Sequence, residues 1–97
     1  MIDKKILKTI ANELQIKISD IKKHDRDKEF ILYRHLCMYV LWQNTNLTLC
    51  QIGKLINRCA ASVSYGYQKI ALNMRTDYQI KYWVLRLNRI TNEALNG

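Results

Sequence analysis

The sequence predicts an all-α protein of about six helices, and three observations carry that prediction. There is no proline and there are only three glycines, so little in the chain would break a helix. Apolar residues recur at spacings of three and four along most of the length, the period of one helix face. Between the periodic stretches, Ser, Thr, Asn and Asp gather at a few points, where caps and turns belong. Ninety-seven residues suffice for one modest core and not for two, so a single domain over 1–97 is expected.

The first helix runs from about 3 to 16. Ile6, Ile10 and Leu14, with Leu7, form its stripe, and Lys4, Lys5 and Lys8 fall off it. That pattern packs on the protein's own core rather than on a membrane surface. Ser19 or Asp20 offers an N-cap for a short second helix. A long third helix spans about Asp27 to Gln43, with Ile31, Leu32, His35, Leu36, Tyr39 and Val40 recurring along it. Asn44-Thr45-Asn46 is the clearest loop signal. Thr48 and Gln51 then make a capping box for a short fourth helix, which ends where Asn57 can turn left-handed. The fifth helix covers about 59–74. Thr76 with Gln79 repeats the box and opens a sixth over about 77–94, with Ile80, Trp83, Val84, Leu87 and Ile90 facing inward.

Several function classes drop out. No apolar run approaches the roughly 18–20 residues of a membrane span, and the N-terminus has no signal-peptide cleavage pattern, so a soluble cytoplasmic protein is expected. Cys37, Cys50 and Cys59 form an odd set without ligand spacing, and His24 and His35 do not complete a metal site. Reduced, partly buried thiols and no metal or cofactor are expected. Asp20, Asp25, Asp27 and Glu29 alternate with basic residues and read as a solvated helix start. Cys37 follows His35 by two, a helical spacing that points the pair in different directions. Nothing here reads as an enzyme.

Charge is the sharper signal. The net charge is +8, and no acid lies between Glu29 and Asp77 while Arg34, Lys54, Arg58, Lys69 and Arg75 do. A positive field over the middle of a small domain suits a polyanion, through release of phosphate counterions. Within the same interval Gly53, Asn57 and Val63 stand four and then six residues apart. Those are the small crossing residue, the left-handed turn residue and the β-branched locking residue of a helix-turn-helix over about 48–74. The fifth helix would then present Ala60, Ala61, Ser64, Tyr65 and Gln68, with Ser62 on the flank. Small side chains let a backbone sit deep in a major groove, alanine methyls meet thymine methyls, and glutamine pairs with adenine. Arg58 at the helix N-terminus would stand beside a phosphate, and Lys54 near it. Of Tyr65 and Tyr67, one is expected in the core and one in solvent.

The stretch YRHLCMYVLWQNTNLTLCQIGKLINRCAASVSYGYQKI resembles the C-terminal DNA-binding domain of bacterial DnaA replication initiators. The resemblance runs over nearly the whole chain. Its closest elements are Arg34 with Met38-Tyr39, Leu47-Thr48-Leu49, Ile52-Gly53, residues 58–63 and Gln68-Lys69-Ile70. It implies an all-helical domain that binds duplex repeats. On that resemblance Arg26 matches an arginine that enters the minor groove, and Arg34 a backbone-contacting arginine at the start of the long helix. Leu49 matches a contact at the start of the short helix, Arg58 opens the family signature, and Ser62 keeps one of two hydroxyl positions, the other being Ala61. Three features depart from the family pattern. Cys59-Ala60 replaces an Asp-His pair, Trp42 replaces a basic residue, and the single Asn57 replaces two glycines. No GxxxxGK[ST] phosphate loop is present, so the chain resembles the binding domain alone, beginning at its own Met1.

The expected function is therefore binding of double-stranded DNA in replication or transcription control, with no membrane partner. A lone domain of this size binds weakly, which leaves room for a homodimer, tandem sites or a replication-protein partner. The alternative is a DnaA-like protein-interaction module, with an exposed Trp42 and Tyr65 or Tyr67 as its contact patch.

Overall fold

The computed structural model describes residues 2–24 and 26–96. Six helices follow one another: α1 (Ile2–Leu14), α2 (Ile18–Lys22), α3 (Lys28–Asn44), α4 (Leu49–Ile56), α5 (Ala60–Asn73) and α6 (Tyr78–Asn96). Helix α3 runs through the middle. Leu36, Cys37, Met38, Val40 and Leu41 are all buried and spread over more than half of its circumference, because α5 covers one side and α6 another. Helix α1 packs on α6, and α4 packs on α5. Ile6, Leu7 and Ile10 from α1, Ile52 and Ile56 from α4, Val63 and Ile70 from α5, and Val84 and Leu87 from α6 complete one core. Each such side chain contributes about 1.5–3 kcal/mol by leaving water.

The caps correct three sequence expectations. Helix α1 stops at Leu14 rather than 16, because Gln15 turns left-handed (φ 60°) and Ile16 N–H donates back to the Ala11 carbonyl at 3.0 Å. Helix α2 is capped at Lys17, not at Ser19 or Asp20. Asp20 lies one turn in, and its carboxylate accepts from the Lys17 backbone N–H at 3.1 Å. At α6 the Asp77 carboxylate takes the role assigned to Thr76, accepting from Gln79 N–H at 3.0 Å and Ile80 N–H at 3.3 Å. The Thr48–Gln51 box forms as expected, with bonds of 3.1 and 2.8 Å.

Arg34 lies in the second turn of α3 rather than at its start, and it is only 3 % exposed. Its Nε donates to the Ile21 carbonyl at 2.9 Å and its Nη2 to the Asp20 carbonyl at 2.8 Å. A buried guanidinium needs such acceptors, and the last turn of α2 has carbonyls without helical partners. The arginine thereby ties α2 to α3.

Two glycines set the helix spacing around α5. A Cβ on Gly53 would lie 2.2 Å from the Arg58 carbonyl oxygen, a backbone atom that cannot move without shifting the turn. A Cβ on Gly66 would lie 2.1 Å from Met38 Sδ and 2.9 Å from the His35 ring, both side-chain atoms. Gly53→Ala should therefore cost about 2–3 kcal/mol in chemical denaturation, with Gly66→Ala costing less because Met38 can swing away. Thr91 is fully buried, and its hydroxyl has no hydrogen-bond partner among the described residues. Thr91→Val should raise stability by about 1 kcal/mol in the same assay.

Candidate nucleic-acid interface

The unit that positions the interface is α4, its turn and α5. Ile52 and Ile56 bury one face of α4, Gly53 lets α5 cross it closely, and Val63 is fully buried between them. Asn57 adopts the left-handed conformation (φ 61°, ψ 50°), and Arg58 N–H closes the turn on the Gly53 carbonyl at 2.8 Å. The three residues singled out by spacing thus occupy the three roles of the motif.

With Val63, Gly66 and Ile70 turned inward, the opposite face of α5 carries Ala61, Ser64, Tyr65, Gln68 and Leu72. Ala61, Tyr65, Gln68 and Leu72 are exposed and Ser64 is half-buried. Ala60 is half-buried on one edge, and Ser62 is half-buried toward α3. Gln68 is held in place, its Nε2 donating to Ser64 Oγ at 2.9 Å, which leaves its Oε1 and one N–H facing outward. Tyr65 is braced from two sides. The His35 ring meets it edge-on at 5.8 Å, and Lys69 lies 5.5 Å from its ring centroid while donating to its hydroxyl at 3.3 Å. Tyr67 lies on the other side, half-buried and stacked on Trp42 at 5.3 Å. Trp42 is therefore no exposed anchor, contrary to the expectation from sequence.

The turn also anchors the segment that follows α2. Asn57 Nδ2 donates to the Lys22 carbonyl at 3.2 Å and lies 3.1 Å from His24 Nε2. Arg58 Nη1 donates to the Asn57 carbonyl at 2.8 Å and to the Lys22 carbonyl at 3.3 Å, and its Nη2 donates to the Lys23 carbonyl. Residues 22–24 are thus fastened beside the start of α5. Arg26, exposed, follows His24 by two residues, a chain reach of no more than about 7 Å. Lys54 is exposed on α4 and lines, with His24, Arg58, Cys59 and Ser62, an open hollow of about 760 Å³ at the α5 N-terminus. Leu49 is half-buried against the core.

Electrostatics within the site follow from this packing. Burial, then the positive charges of Lys69 and Arg34, hold the His35 pKa below its ordinary value. A hydrogen bond from the Ser62 hydroxyl, 3.3 Å from Cys59 Sγ, lowers the Cys59 thiol. Cys37, by contrast, is pushed up to about 12 by burial, while Cys50 and Cys59 are exposed. No group of His, Cys, Asp and Glu suited to a metal occurs among the described residues, and no described helix is long and apolar enough to cross a membrane. What the arrangement can do is present an uncharged helix face, small at Ala61 and Ser64 and larger at Tyr65, Gln68 and Leu72, between cations.

Of the residues picked from sequence, Ala61, Ser64, Tyr65 and Gln68 share this face, with Ala60 and Ser62 at its edges. Lys54 and Arg58 rim its N-terminal end and Arg26 is exposed two residues beyond His24, while Arg34 and Leu49 belong to the packing beneath. Lys69, read from sequence only as part of the positive field, joins the site, as do His35, Leu72 and the Lys22–His24 segment. Lys69 and Leu72 carried a readable signal, standing four and seven residues after Tyr65 on the same helix. His35 and residues 22–24 reach the site only through tertiary contacts.

A family model described as bacterial DnaA protein helix-turn-helix matches residues 4–70. The chain is also similar to three proteins called chromosomal replication initiator protein DnaA. It is 29 % identical over 77 residues (79 % of this chain, 15 % of the relative) to that of onion yellows phytoplasma. It is 29 % identical over 92 residues (93 % and 19 %) to that of Roseiflexus castenholzii, and 30 % identical over 94 residues (95 % and 21 %) to that of Gloeobacter violaceus. The chain thus spans about a fifth or less of the length of these relatives. It belongs to the helix-turn-helix family of bacterial DnaA proteins.

Proposed function

We propose that the chain binds double-stranded DNA by laying α5 in the major groove, reading sequence there and serving replication or transcription control. The observation that carries this reading is the outer face of α5. It is built from Ala61, Ser64, Tyr65 and Gln68, it carries no acid, and Lys54, Arg58 and Lys69 stand around it. Small residues permit close approach to base edges, and the free amides of the first turn of α5 add to the cations as phosphate ligands. The fastening of residues 22–24 to the turn supports a second contact, with Arg26 reaching the neighbouring minor groove. Membership in the DnaA helix-turn-helix family and the initiator relatives support a role connected with replication. The protein-contact alternative has less support, because its aromatic patch needed Trp42 in solvent and Trp42 is stacked on Tyr67.

Reading is assigned chiefly to Gln68. Its bond to Ser64 holds the amide in one orientation, and the remaining N–H and Oε1 match the N7 and N6 edge of adenine. Cys59 and Ala60 offer a weak acceptor and a methyl group at the helix start, so the preferred site should differ from one read by an Asp-His pair.

The test is selection from a randomised duplex library near physiological salt, followed by affinity measurements across salt concentration. One enriched motif is the expected result, and absence of any retention at low salt would overturn the reading. Lys54→Ala and Arg26→Ala should each weaken binding on all sequences and lower the salt slope by about 1. Arg58→Ala should do the same and also lower the melting temperature, since its guanidinium holds the carbonyls of residues 22 and 23. Gln68→Ala should lose about 1–3 kcal/mol at one base pair of the selected site while non-specific affinity stays nearly constant. Ala61→Asp should abolish docking by placing a carboxylate at the groove.

A further inference from the structure

Helix α6 is apolar on two opposite faces. Ile80, Val84 and Leu87 are buried against α1 and α3, whereas Tyr78, Tyr82 and Leu85 stand on the solvent side, 85, 54 and 58 % exposed. These three recur at i, i+4 and i+7, so they form one stripe. The other large apolar side chains exposed among the described residues, Tyr65 and Leu72, both belong to α5. A helix with apolar residues on its outer as well as its inner face is one shaped for a partner. The stripe also lies on a different helix from the proposed DNA face, for α6 packs on α1 and α3 while α5 packs on α3 and α4.

Cations frame the stripe. The side chains of Lys81 and Arg89 are exposed and make no ion pair or hydrogen bond among the described residues. Arg86 donates from Nη1 to the Tyr82 hydroxyl at 3.2 Å, and its Nε is paired with Glu13. Together with Tyr82 and Leu85, Arg86 and Arg89 enclose a surface hollow of about 340 Å³. The acid of α6, Glu93, lies one turn beyond Arg89, past the end of the stripe. A second copy of the chain seated here would bring a second set of Lys81, Arg86 and Arg89 to the same contact. A nucleic-acid backbone would match the cations but leave Tyr82 and Leu85 against phosphate. The surface calls for apolar side chains and carboxylates together.

We propose that the Tyr78–Tyr82–Leu85 stripe of α6, with Lys81 and Arg89 at its edges, docks an acidic amphipathic helix of another protein. Apolar side chains of that helix fill the hollow against Tyr82 and Leu85, and its flanking carboxylates meet Lys81 and Arg89. This site is separate from α5, so partner and DNA can be held at once.

The test uses the full chain and a fluorescent helical peptide of about eighteen residues, leucines along one face and glutamates beside them, with a lysine-for-glutamate counterpart. Anisotropy in about 0.1 M salt should show saturable binding of the acidic peptide, at least about tenfold tighter than its lysine counterpart. Leu85→Asp and Arg89→Glu should each weaken it about tenfold, with melting temperatures unchanged because both side chains are exposed. Equal binding of both peptides, or no saturable binding, would overturn the proposal. So would loss of binding in Lys54→Glu with Arg89→Glu unaffected, which would put the peptide on the α5 side. Concentration-dependent dimerisation abolished by Leu85→Asp would assign the stripe to a second copy and overturn it too.

Discussion

The Arg58 carbonyl oxygen lies 2.2 Å from where a Cβ on residue 53 would sit, and much of the molecule is arranged around that approach. It requires glycine at 53 and a left-handed residue at 57, and those two conditions fix the angle at which α5 leaves α4. Once α5 is placed, Val63, Gly66 and Ile70 must face α3, which leaves Ala61, Ser64, Tyr65 and Gln68 on the outside. The chemistry of the outer face is thus decided by a backbone contact in which none of its side chains takes part.

The same turn organises the charges. Asn57 and Arg58 hold the carbonyls of Lys22 and Lys23, and Arg34 holds those of Asp20 and Ile21. Two arginines from different elements therefore satisfy the C-terminal end of one five-residue helix. Carbonyls at a helix end attract cations, and here they draw in side chains that would otherwise be mobile. A buried guanidinium such as that of Arg34 needs such internal acceptors, and only eight carboxylates stand against sixteen basic residues. Even so, Lys54 and Arg26 remain in solvent near the α5 N-terminus, where a polyanion would profit from them.

Helix α3 stands between the two surfaces proposed for binding. It is covered by α5 on one side and α6 on another, so it transmits position rather than chemistry. On the α5 side, His35 braces Tyr65 and Met38 fills the space left by Gly66. On the other side, Asn44 Nδ2 donates to Asn88 Oδ1 at 2.8 Å, a polar link between the last turn of α3 and α6.

The sequence by itself determined the helices, the turn and the sign of the chain's own charge. Those features depend on local period, on capping chemistry and on composition, which need no knowledge of the fold. Gly53, Asn57 and Val63 were legible because the motif imposes fixed spacing along one continuous stretch. The tertiary structure alone decided which cations are available. Arg34 and Lys54 look alike in sequence, yet one is buried on the carbonyls of α2 and the other stands in solvent. Trp42, Gln15 and Asp77 show the same limit on a smaller scale. Whether a side chain stacks, a residue turns left-handed or one of two neighbouring caps wins is settled by what packs against it. Contacts over dozens of residues, such as Asn57 with Lys22, leave no period in the sequence to read.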